Sequence, residues 1–298
     1  MLSIFFAYYF LLIEKNFFLF GFIFSIFIIG LFSDLKKLNS VNLRFALQIF
    51  VVLVFVYLID IKINFTRIEM FDEFLQNNIF INLFFTSFCL LIALNGGNFI
   101  DGINGIILKY YILVYLILYF GFPNEFNVVE KEFLKYLIIT LSFILILNLS
   151  GFLYMGDSGA YLISVFTGFY LINFSSQNFP VSPYLIILLI WYPCFELLFS
   201  MVRRYFNSMK TYKPDNQHLH YLIYTFFKTQ LNSTYNLMIH FITSLAINLY
   251  NLVIFLFSLK FKYNSQEIIF LIIFNVLVYI LLHKFLSNNR EMKNNGNN

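Results

Sequence analysis

Four polar islands interrupt a chain that otherwise consists of long apolar stretches. The islands run from Ser33 to Arg44, from Asn95 to Gly105, from Gly156 to Ala160 and from Pro214 to His220. When the apolar stretches are counted as membrane crossings, all four islands fall on the same side of the bilayer. This pattern predicts one site that separate loops of a membrane protein build together.

The composition favours the same class of protein. Hydrophobic residues make up 60% of the 298 residues and charged residues only 11%, whereas soluble chains carry roughly 25% charged residues. A soluble domain of this length could not cover so much apolar surface. We therefore expect an all-α, polytopic integral-membrane bundle with loops that carry the site.

Nine apolar segments approach the length of about 20 residues that a helix needs to cross the hydrocarbon. They cover approximately residues 16–32, 45–61, 79–94, 106–122, 133–148, 160–174, 184–202, 235–259 and 267–284. A shorter apolar stub, Met1 to Ile13, precedes them. We expect nine to ten transmembrane helices in one domain, residues 1–286, and a disordered cytoplasmic tail, residues 287–298. The polar stretch from about Arg203 to Asn232 is predicted to be a loop.

The distribution of basic residues predicts the orientation in the membrane. Twelve of the 19 Lys and Arg residues, among them Lys36, Lys37 and Arg44, lie on the side of the polar islands. Because basic residues are retained in the cytoplasm, the islands are expected to face the cytoplasm. The small formal charge of +4 gives no indication of a nucleic-acid partner.

The second island, from Asn95 to Gly105, places amides, a carboxylate and four glycines where one helix ends and the next begins. Glycine lets a backbone turn tightly and approach a ligand closely. Asn98 and Asp101 are three residues apart and would share one face of a helical turn. A second interpretation is that these residues only cap and turn membrane helices.

The third island, Gly156-Asp157-Ser158-Gly159, places one carboxylate between glycines at a helix entrance. Oxygen ligands and free backbone N–H groups can meet an anion and its metal there, and hard oxygen ligands suit Mg²⁺. Simple helix capping is again the alternative for this loop alone. Two such loops on one face of the membrane favour a site.

The helix before the fourth island carries a polar stripe on one face, made of Glu196, Ser200, Arg203 and Arg204. The island then ends in His218 and His220, which would share one face of an extended segment and could hold phosphate or form a weak metal pair. His240 and His283 lie singly in or beside apolar helices, and we interpret them as structural.

In this order and at these separations, the islands resemble those of the polyprenyl-phosphate N-acetylhexosamine-1-phosphate transferases, glycosyltransferase family 4. The second island has the pattern Asn95-x-x-Asn98-x-x-Asp101-Gly-x-Asn104-Gly, similar to the family's second signature. Gly156-Asp157-Ser158-Gly159 is similar to the third, and His218-Leu219-His220 to the histidine loop. The resemblance extends from about Phe20 to Phe285. The residues just before His218 are most similar to those of the bacterial branch of the family that initiates glycans.

The resemblance implies an activity. A polyprenyl (undecaprenyl) phosphate would attack the sugar-linked phosphorus of a UDP-N-acetylhexosamine, UMP would leave, and a lipid-linked cell-envelope glycan, such as an O-antigen, would begin. Membrane lipid is an implied partner, a homodimer is a further expectation, and the implied location is the bacterial inner membrane.

The resemblance also implies roles for individual residues. Mg²⁺, with Mn²⁺ as the alternative, would be held by Asn98 and Asp157. Catalytic positions would be Asp34, Asp101, His218 and His220, and substrate-binding positions Arg44, Asn95, Asn104, Arg203 and Arg204. Because several negative charges meet in the transition state of such a reaction, the metal and the cationic side chains would provide most of its stabilisation.

Two departures from the family pattern matter. The first signature normally offers two adjacent acids, whereas this chain has Ser33-Asp34. A phosphate monoester has a second pKa of about 6, so the acceptor needs little help in losing a proton. Family members also usually carry a further helix and a basic loop before the segment that corresponds to Met1–Ile13, and we expect these to be missing from this chain.

Two other classes of protein remain open. A transporter also places acids near membrane helices, but usually toward the bilayer midplane, whereas Asp34, Asp101 and Asp157 are predicted at helix ends. A catalytically impaired homologue that binds lipid or a partner is the second alternative, because of Ser33 and the expected missing start.

Overall fold

The computed structural model describes residues 17–206, 217–231 and 235–295 of the chain. These residues form twelve α-helices, one short 3₁₀-helix at Leu259–Phe261 and no strand, which confirms the predicted all-α class. The α-helices are α1 (Phe17–Asp34), α2 (Val41–Ile59), α3 (Glu69–Asn77), α4 (Ile79–Ile100), α5 (Ile106–Gly121), α6 (Val128–Leu149), α7 (Gly156–Gln177), α8 (Pro183–Leu189), α9 (Trp191–Phe206), α10 (Leu219–Gln230), α11 (Asn236–Ser258) and α12 (Ser265–Asn295).

Each of the nine predicted apolar segments coincides with a helix, but fewer of them meet the length and apolarity of a full span. Within the described residues, five do so: α2, α4, α6, α11 and α12. A sixth forms if the bent pair α8 and α9 is counted as one span. The number of nine to ten spans expected from the sequence is therefore too high by this measure. Phe18–Asp34 and Ile106–Gly121 are apolar but shorter.

The bend between α8 and α9 has a chemical cause. The two helices meet at 73°, and Pro193 lies in the first turn of α9, where it has no N–H to give to the carbonyl of Leu189. The hydroxyl of Tyr110 donates to that carbonyl at 3.0 Å instead. The freed backbone acceptor is thus satisfied inside the bundle, as the apolar bilayer requires.

The core lies around α4, α5 and α7. Helix α4 packs against α2, α7 and α9, and α1 packs against α2 and α7. Large aromatic side chains such as Tyr110, Tyr111 and Tyr115 fill the interior. Large apolar side chains including Phe50, Phe84 and Phe88 are exposed, as expected for surfaces that face lipid acyl chains. The chain is a multi-pass membrane protein.

Three parts of the fold differ from the sequence prediction. Helix α3 is short and amphipathic and lies between the predicted apolar segments 45–61 and 79–94, where no helix was predicted. Helix α10 lies within the stretch from Arg203 to Asn232 that was predicted as a loop. Helix α12 continues to Asn295, past the start of the predicted disordered tail, because an established helix adds residues at little cost. The stub Met1–Ile13 and Pro214-Asp215-Asn216 lie outside the described residues.

Candidate active site

Asp34 caps the helix that carries the third motif. Its carboxylate accepts hydrogen bonds from the backbone N–H of Asp157 at 2.8 Å, from the N–H of Ser158 at 3.1 Å and from the Ser158 hydroxyl at 2.7 Å. Helix α7 has no side-chain cap of its own at Met155. The first N–H groups of a helix need acceptors and favour a negative charge. Asp34 supplies both from the end of α1, so it fixes the position of Asp157.

Two glycines permit this contact between α1 and α7. Gly156 has φ +62°, and a Cβ there would lie 2.8 Å from Oδ2 of Asp34. A Cβ on Gly30 would lie 2.4 Å from Cα of Ser158. The close approach of the two backbones, rather than contact with a ligand, is therefore what these glycines provide.

Asp157 is held by Ser33 and Arg44. Its Oδ2 accepts a hydrogen bond from the Ser33 hydroxyl at 2.5 Å and forms an ion pair with Arg44 Nη1 at 2.6 Å. The same guanidinium nitrogen also contacts the Ser33 hydroxyl. No hydrogen bond to Oδ1 of Asp157 is found within the described part of the chain, so that oxygen is available to a ligand. Ser33, at the position where the resemblance leads us to expect an acid, orients Asp157.

Asp101 lies close to both of these acids. It is the residue directly after α4, and its pKa is raised to about 8 by burial first and then by the charges of Asp157 and Asp34. Three carboxylates that come together in this way repel one another, which favours the uptake of a cation or a proton. The structure thus brings the predicted residues Asp34, Asp101 and Asp157 into one cluster, here called the carboxylate cluster.

The carboxylate cluster offers oxygen donors of the kind that bind magnesium. No three His, Cys, Asp or Glu side chains form a complete set of metal ligands in the residues that the structure describes. Mg²⁺ is, however, commonly held by one or two carboxylates, with water and substrate phosphates as the other ligands. Asp157 offers a free oxygen, and Asn98 lies partly buried one turn before Asp101. These donors are hard oxygen atoms, as Mg²⁺ prefers.

The glycines of the second motif pack helices together. A Cβ on Gly96 would lie 2.7 Å from the carbonyl oxygen of Pro193 in α9, and one on Gly97 would lie 1.7 Å from Oγ of Ser164 in α7. The space beside these two glycines is filled by neighbouring helices, so they permit close helix packing. Asn95, predicted to bind substrate, donates its side-chain amide to the carbonyl of Leu91 in its own helix.

The turn from Asp101 to Gly105 is anchored by residues that the sequence did not single out for the site. The backbone N–H of Asn104 donates to Nδ1 of His240 at 3.2 Å, and the N–H of Gly105 donates to Oδ1 of Asn148 at 2.5 Å. The amide of Asn148 also donates to the carbonyl of Leu153, just before the third motif. Asn148 therefore joins the second and third motifs. The only sequence signal for Asn148 was its position in the last turn of an apolar helix.

The histidine loop forms a second cluster beside the first. His218 precedes α10, and its Nδ1 lies 3.0 Å from Oε1 of Glu196. The rings of His218 and His220 stack at 5.4 Å between centroids. They do so at the start of a helix, not on the extended segment predicted from the sequence. Phe99 of the second motif meets the His218 ring edge-on, so the two motifs are in contact.

His220 is fully buried, and neither ring nitrogen has a hydrogen-bond partner within the described residues. Burial lowers its pKa to about 4, so the ring is neutral at physiological pH. A Cβ on Gly102 would lie 2.8 Å from its Nε2, which places His220 directly against the turn that follows Asp101. A buried imidazole without partners has capacity for a ligand hydrogen bond.

The two arginines at the end of α9 have different surroundings. Arg204 is buried, with Nη2 3.4 Å from Nε2 of His218 and its guanidinium over the ring of Phe99. Arg203 donates to the backbone carbonyl and the side chain of Gln217. Both arginines border the histidine loop, and Arg44 borders the carboxylate cluster. Each of the two clusters thus has a cationic side chain beside it.

Comparisons with known proteins identify the family of this chain. The model of the family described as glycosyl transferase family 4 matches residues 16–175, more than half of the chain. Over 150 residues the chain is 29% identical to the undecaprenyl-phosphate alpha-N-acetylglucosaminyl 1-phosphate transferases of Escherichia coli (strain K12) and Shigella flexneri. That alignment covers 47% of this chain and 40% of each relative, so the chain spans less than half the length of these curated relatives. The matched region contains the first three polar islands with their carboxylate cluster, and on this basis the chain belongs to glycosyl transferase family 4.

Proposed function

We propose that this protein transfers an N-acetylhexosamine 1-phosphate from a UDP-sugar to a polyprenyl (undecaprenyl) phosphate, with release of UMP. The product would be a polyprenyl-diphosphate sugar that stays in the membrane and begins a cell-envelope glycan. One observation carries the proposal: the carboxylates of Asp34, Asp101 and Asp157 lie together beside Arg44. The histidine loop forms the neighbouring cluster.

The charges of the site suit this reaction. Two phosphate-bearing substrates bring several negative charges to one place, and such transfers depend mainly on positioning and on compensation of charge. Arg44, Arg203 and Arg204 border the site, and the neutral, unpaired ring of His220 can form a hydrogen bond to phosphate or sugar. Mg²⁺ held by Asp157 and Asn98 would neutralise phosphate charge and align the reacting groups.

Ser33 is compatible with catalysis in this scheme. An oxygen of the acceptor phosphate forms the new bond to the sugar-linked phosphorus, and the bond from that phosphorus to the UMP oxygen breaks. The acceptor is already mostly dianionic at neutral pH, because its second pKa is about 6. A second carboxylate acting as a base is therefore not required. The Ser33 hydroxyl instead orients Asp157 through its 2.5 Å hydrogen bond.

The proposed location is the bacterial inner membrane, with the site on the cytoplasmic face. This orientation follows from the excess of basic residues on the side of the motifs. It would give the site access to soluble UDP-sugars and to the phosphate of a lipid whose tail lies in the bilayer.

The proposal is tested with the purified protein in detergent or vesicles. Radiolabelled UDP-N-acetylglucosamine and UDP-N-acetylgalactosamine are each supplied with undecaprenyl phosphate and Mg²⁺. Label should enter the lipid fraction with release of UMP, and EDTA or Asp157→Asn should nearly abolish it. The matched variant Asp60→Asn alters an exposed acid and should transfer normally. Lipid binding without transfer for either sugar would support the impaired homologue, and sugar uptake into vesicles without lipid labelling would support a transporter.

A further inference from the structure

A fully buried acid lies behind the histidine loop. Glu196 belongs to α9, inside the candidate bent span, and is 0% exposed. An acid in a membrane helix is costly unless it is paired, and it commonly marks a functional position. Glu196 lies beyond residue 175, where the family match ends. The proposed roles of Asp34, Asp101 and Asp157 do not involve it.

Both oxygens of Glu196 are engaged. Oε1 lies 3.0 Å from Nδ1 of His218 and accepts from the backbone N–H of Leu219 at 3.4 Å. Oε2 accepts a hydrogen bond from the hydroxyl of Tyr279 at 2.8 Å. The carboxylate is therefore fixed from two sides, by the start of α10 and by α12.

This geometry favours one tautomer of the neutral His218 ring. Because Oε1 of Glu196 is an acceptor, the proton is favoured on Nδ1, and Nε2 is the ring nitrogen away from Glu196. Nη2 of Arg204 lies 3.4 Å from Nε2, and the ring is in T-shaped contact with Phe99 of the second motif. In this tautomer Nε2 is a hydrogen-bond acceptor beside Arg204 and the second motif.

Helix α12 supports the same arrangement at two positions one turn apart. Tyr279 is buried and holds Glu196, and Nε2 of His283 lies 2.8 Å from the backbone carbonyl of Gln217, next to His218. Among the described residues, titratable and charged groups from three helices lie around the histidine loop: Glu196, Arg203 and Arg204 from α9, His220 and Tyr221 from α10, and Tyr279 and His283 from α12.

We infer that Glu196, fixed by Tyr279, is a positioning residue that sets the tautomer and orientation of His218, so that Nε2 is presented as a hydrogen-bond acceptor beside Arg204 and the second motif. The inference rests on the proposed function, because it assigns His218 to the orientation of Arg204 and of a hydroxyl or N–H group of the UDP-sugar. Glu196 itself does not touch substrate. It acts through the imidazole.

A double-mutant cycle tests the coupling. Glu196→Gln keeps the size of the side chain and should lower kcat about tenfold to a hundredfold, the effect of weakening one charge-assisted hydrogen bond. In the background of His218→Ala the same change should alter kcat less than about twofold. Tyr279→Phe should produce a smaller loss, and Glu196→Asp should recover part of the rate. An equal loss from Glu196→Gln with and without His218 would overturn the inference.

A control variant separates this effect from general damage to the bundle. Tyr250→Phe removes a hydroxyl that bonds Asn275 between α11 and α12, so it also alters a buried contact of α12, but without touching the histidine loop. It should leave kcat close to wild type. A loss as large as that of Tyr279→Phe would mean that the hydroxyl of Tyr279 only supports the fold.

A measurement without turnover distinguishes failure of the inference from failure of the proposed function. In protein with ¹⁵N-labelled histidine, the spectrum of His218, identified with His218→Gln, should show the proton on Nδ1 in the neutral form. The ¹⁵N shifts of both ring nitrogens should change in Glu196→Gln, because the carboxylate that accepts from Nδ1 is replaced by an amide that can also donate. Unchanged ¹⁵N shifts would overturn the inference whether or not the wild type transfers sugar phosphate. Absence of wild-type transfer with the expected change in the ¹⁵N shifts would overturn the proposed function alone.

Discussion

Asp34 and Asp157 are 123 residues apart in the chain, yet a carboxylate oxygen of Asp34 accepts the backbone N–H of Asp157 at 2.8 Å. A residue at the start of the first polar island therefore caps the helix that begins with the third island. One side chain of α1 both stabilises α7 and sets the position of Asp157. Variants of Asp34 should consequently affect stability and transfer together.

Asp34→Ala should destabilise the protein by about 0.5–2 kcal/mol, the usual effect of losing a helix cap, and should strongly lower transfer because Asp157 loses its support. Thermal unfolding in detergent and the lipid-labelling assay measure the two effects. Glu132→Ala is the control, since Glu132 forms only an exposed pair with Lys135 and such pairs contribute little. Unchanged stability of Asp34→Ala would contradict the capping role.

Gly156→Ala should be more harmful than Gly151→Ala, although both glycines have positive φ, at +62° and +76°. Each substitution brings backbone strain of about 1–3 kcal/mol. Only at Gly156 would the new methyl group also lie 2.8 Å from a carboxylate oxygen of Asp34, whereas at Gly151 the nearest atom is 3.6 Å away. Loss of transfer is therefore expected for Gly156→Ala and not for Gly151→Ala. Equal effects on transfer would mean that the contact with Asp34 is unimportant.

The sequence was sufficient to predict the long apolar helices, but not α3 or α10, and the common side of the polar islands. Length and apolarity mark the helices, and the alternation of spans then brings distant loops to one face. Where each side chain points depends on tertiary packing. Nothing in the local sequence of Asp34 indicates that it caps a helix 123 residues away, and Gly96 has the same local signature whether its neighbour is a ligand or the backbone of Pro193.

Buried polar partners were the hardest part of the site to predict. Glu196 was recognised as part of a polar stripe, but its partner Tyr279 lies 83 residues later in an apolar helix. A tyrosine in such a helix gives no sign that its hydroxyl meets an acid. Asn148 likewise resembles an ordinary polar helix end until its bonds to Gly105 and Leu153 are seen.

Gly97→Ala should destabilise the bundle by about 1–3 kcal/mol, as expected for overpacking. The added methyl group would lie 1.7 Å from Oγ of Ser164, which bonds the carbonyl of Ala160 at 2.6 Å. Ser164→Gly in the same protein removes the obstructing side chain and should recover a large part of the lost stability, as measured by thermal unfolding. Lack of any recovery would indicate that Gly97 is required for a reason other than packing against α7.

Asp101 should give the protein a distinctive dependence of stability on pH. Its pKa in the folded protein is raised from 3.8 to about 8 by burial and by Asp157 and Asp34. Between about pH 4 and pH 8 the folded state therefore keeps a proton that the unfolded chain has released, so stability falls as the pH rises through this window. Asp101→Asn has no such proton to lose. In EDTA, its unfolding temperature relative to wild type should increase from pH 5 to pH 8.

A divalent cation should reduce the difference in unfolding temperature between wild type and Asp101→Asn at pH 8. Mg²⁺ bound beside the carboxylate cluster would stabilise ionised Asp101, so it should raise the unfolding temperature of wild type at pH 8 more than that of Asp101→Asn. Asp60→Asn, a change at an exposed acid paired with Lys62, should follow the wild-type profile throughout. Parallel pH profiles for wild type and Asp101→Asn would show that Asp101 does not retain its proton on folding. An equal response of the two proteins to Mg²⁺ would separate Asp101 from the metal, because a cation next to this carboxylate must favour its charged form.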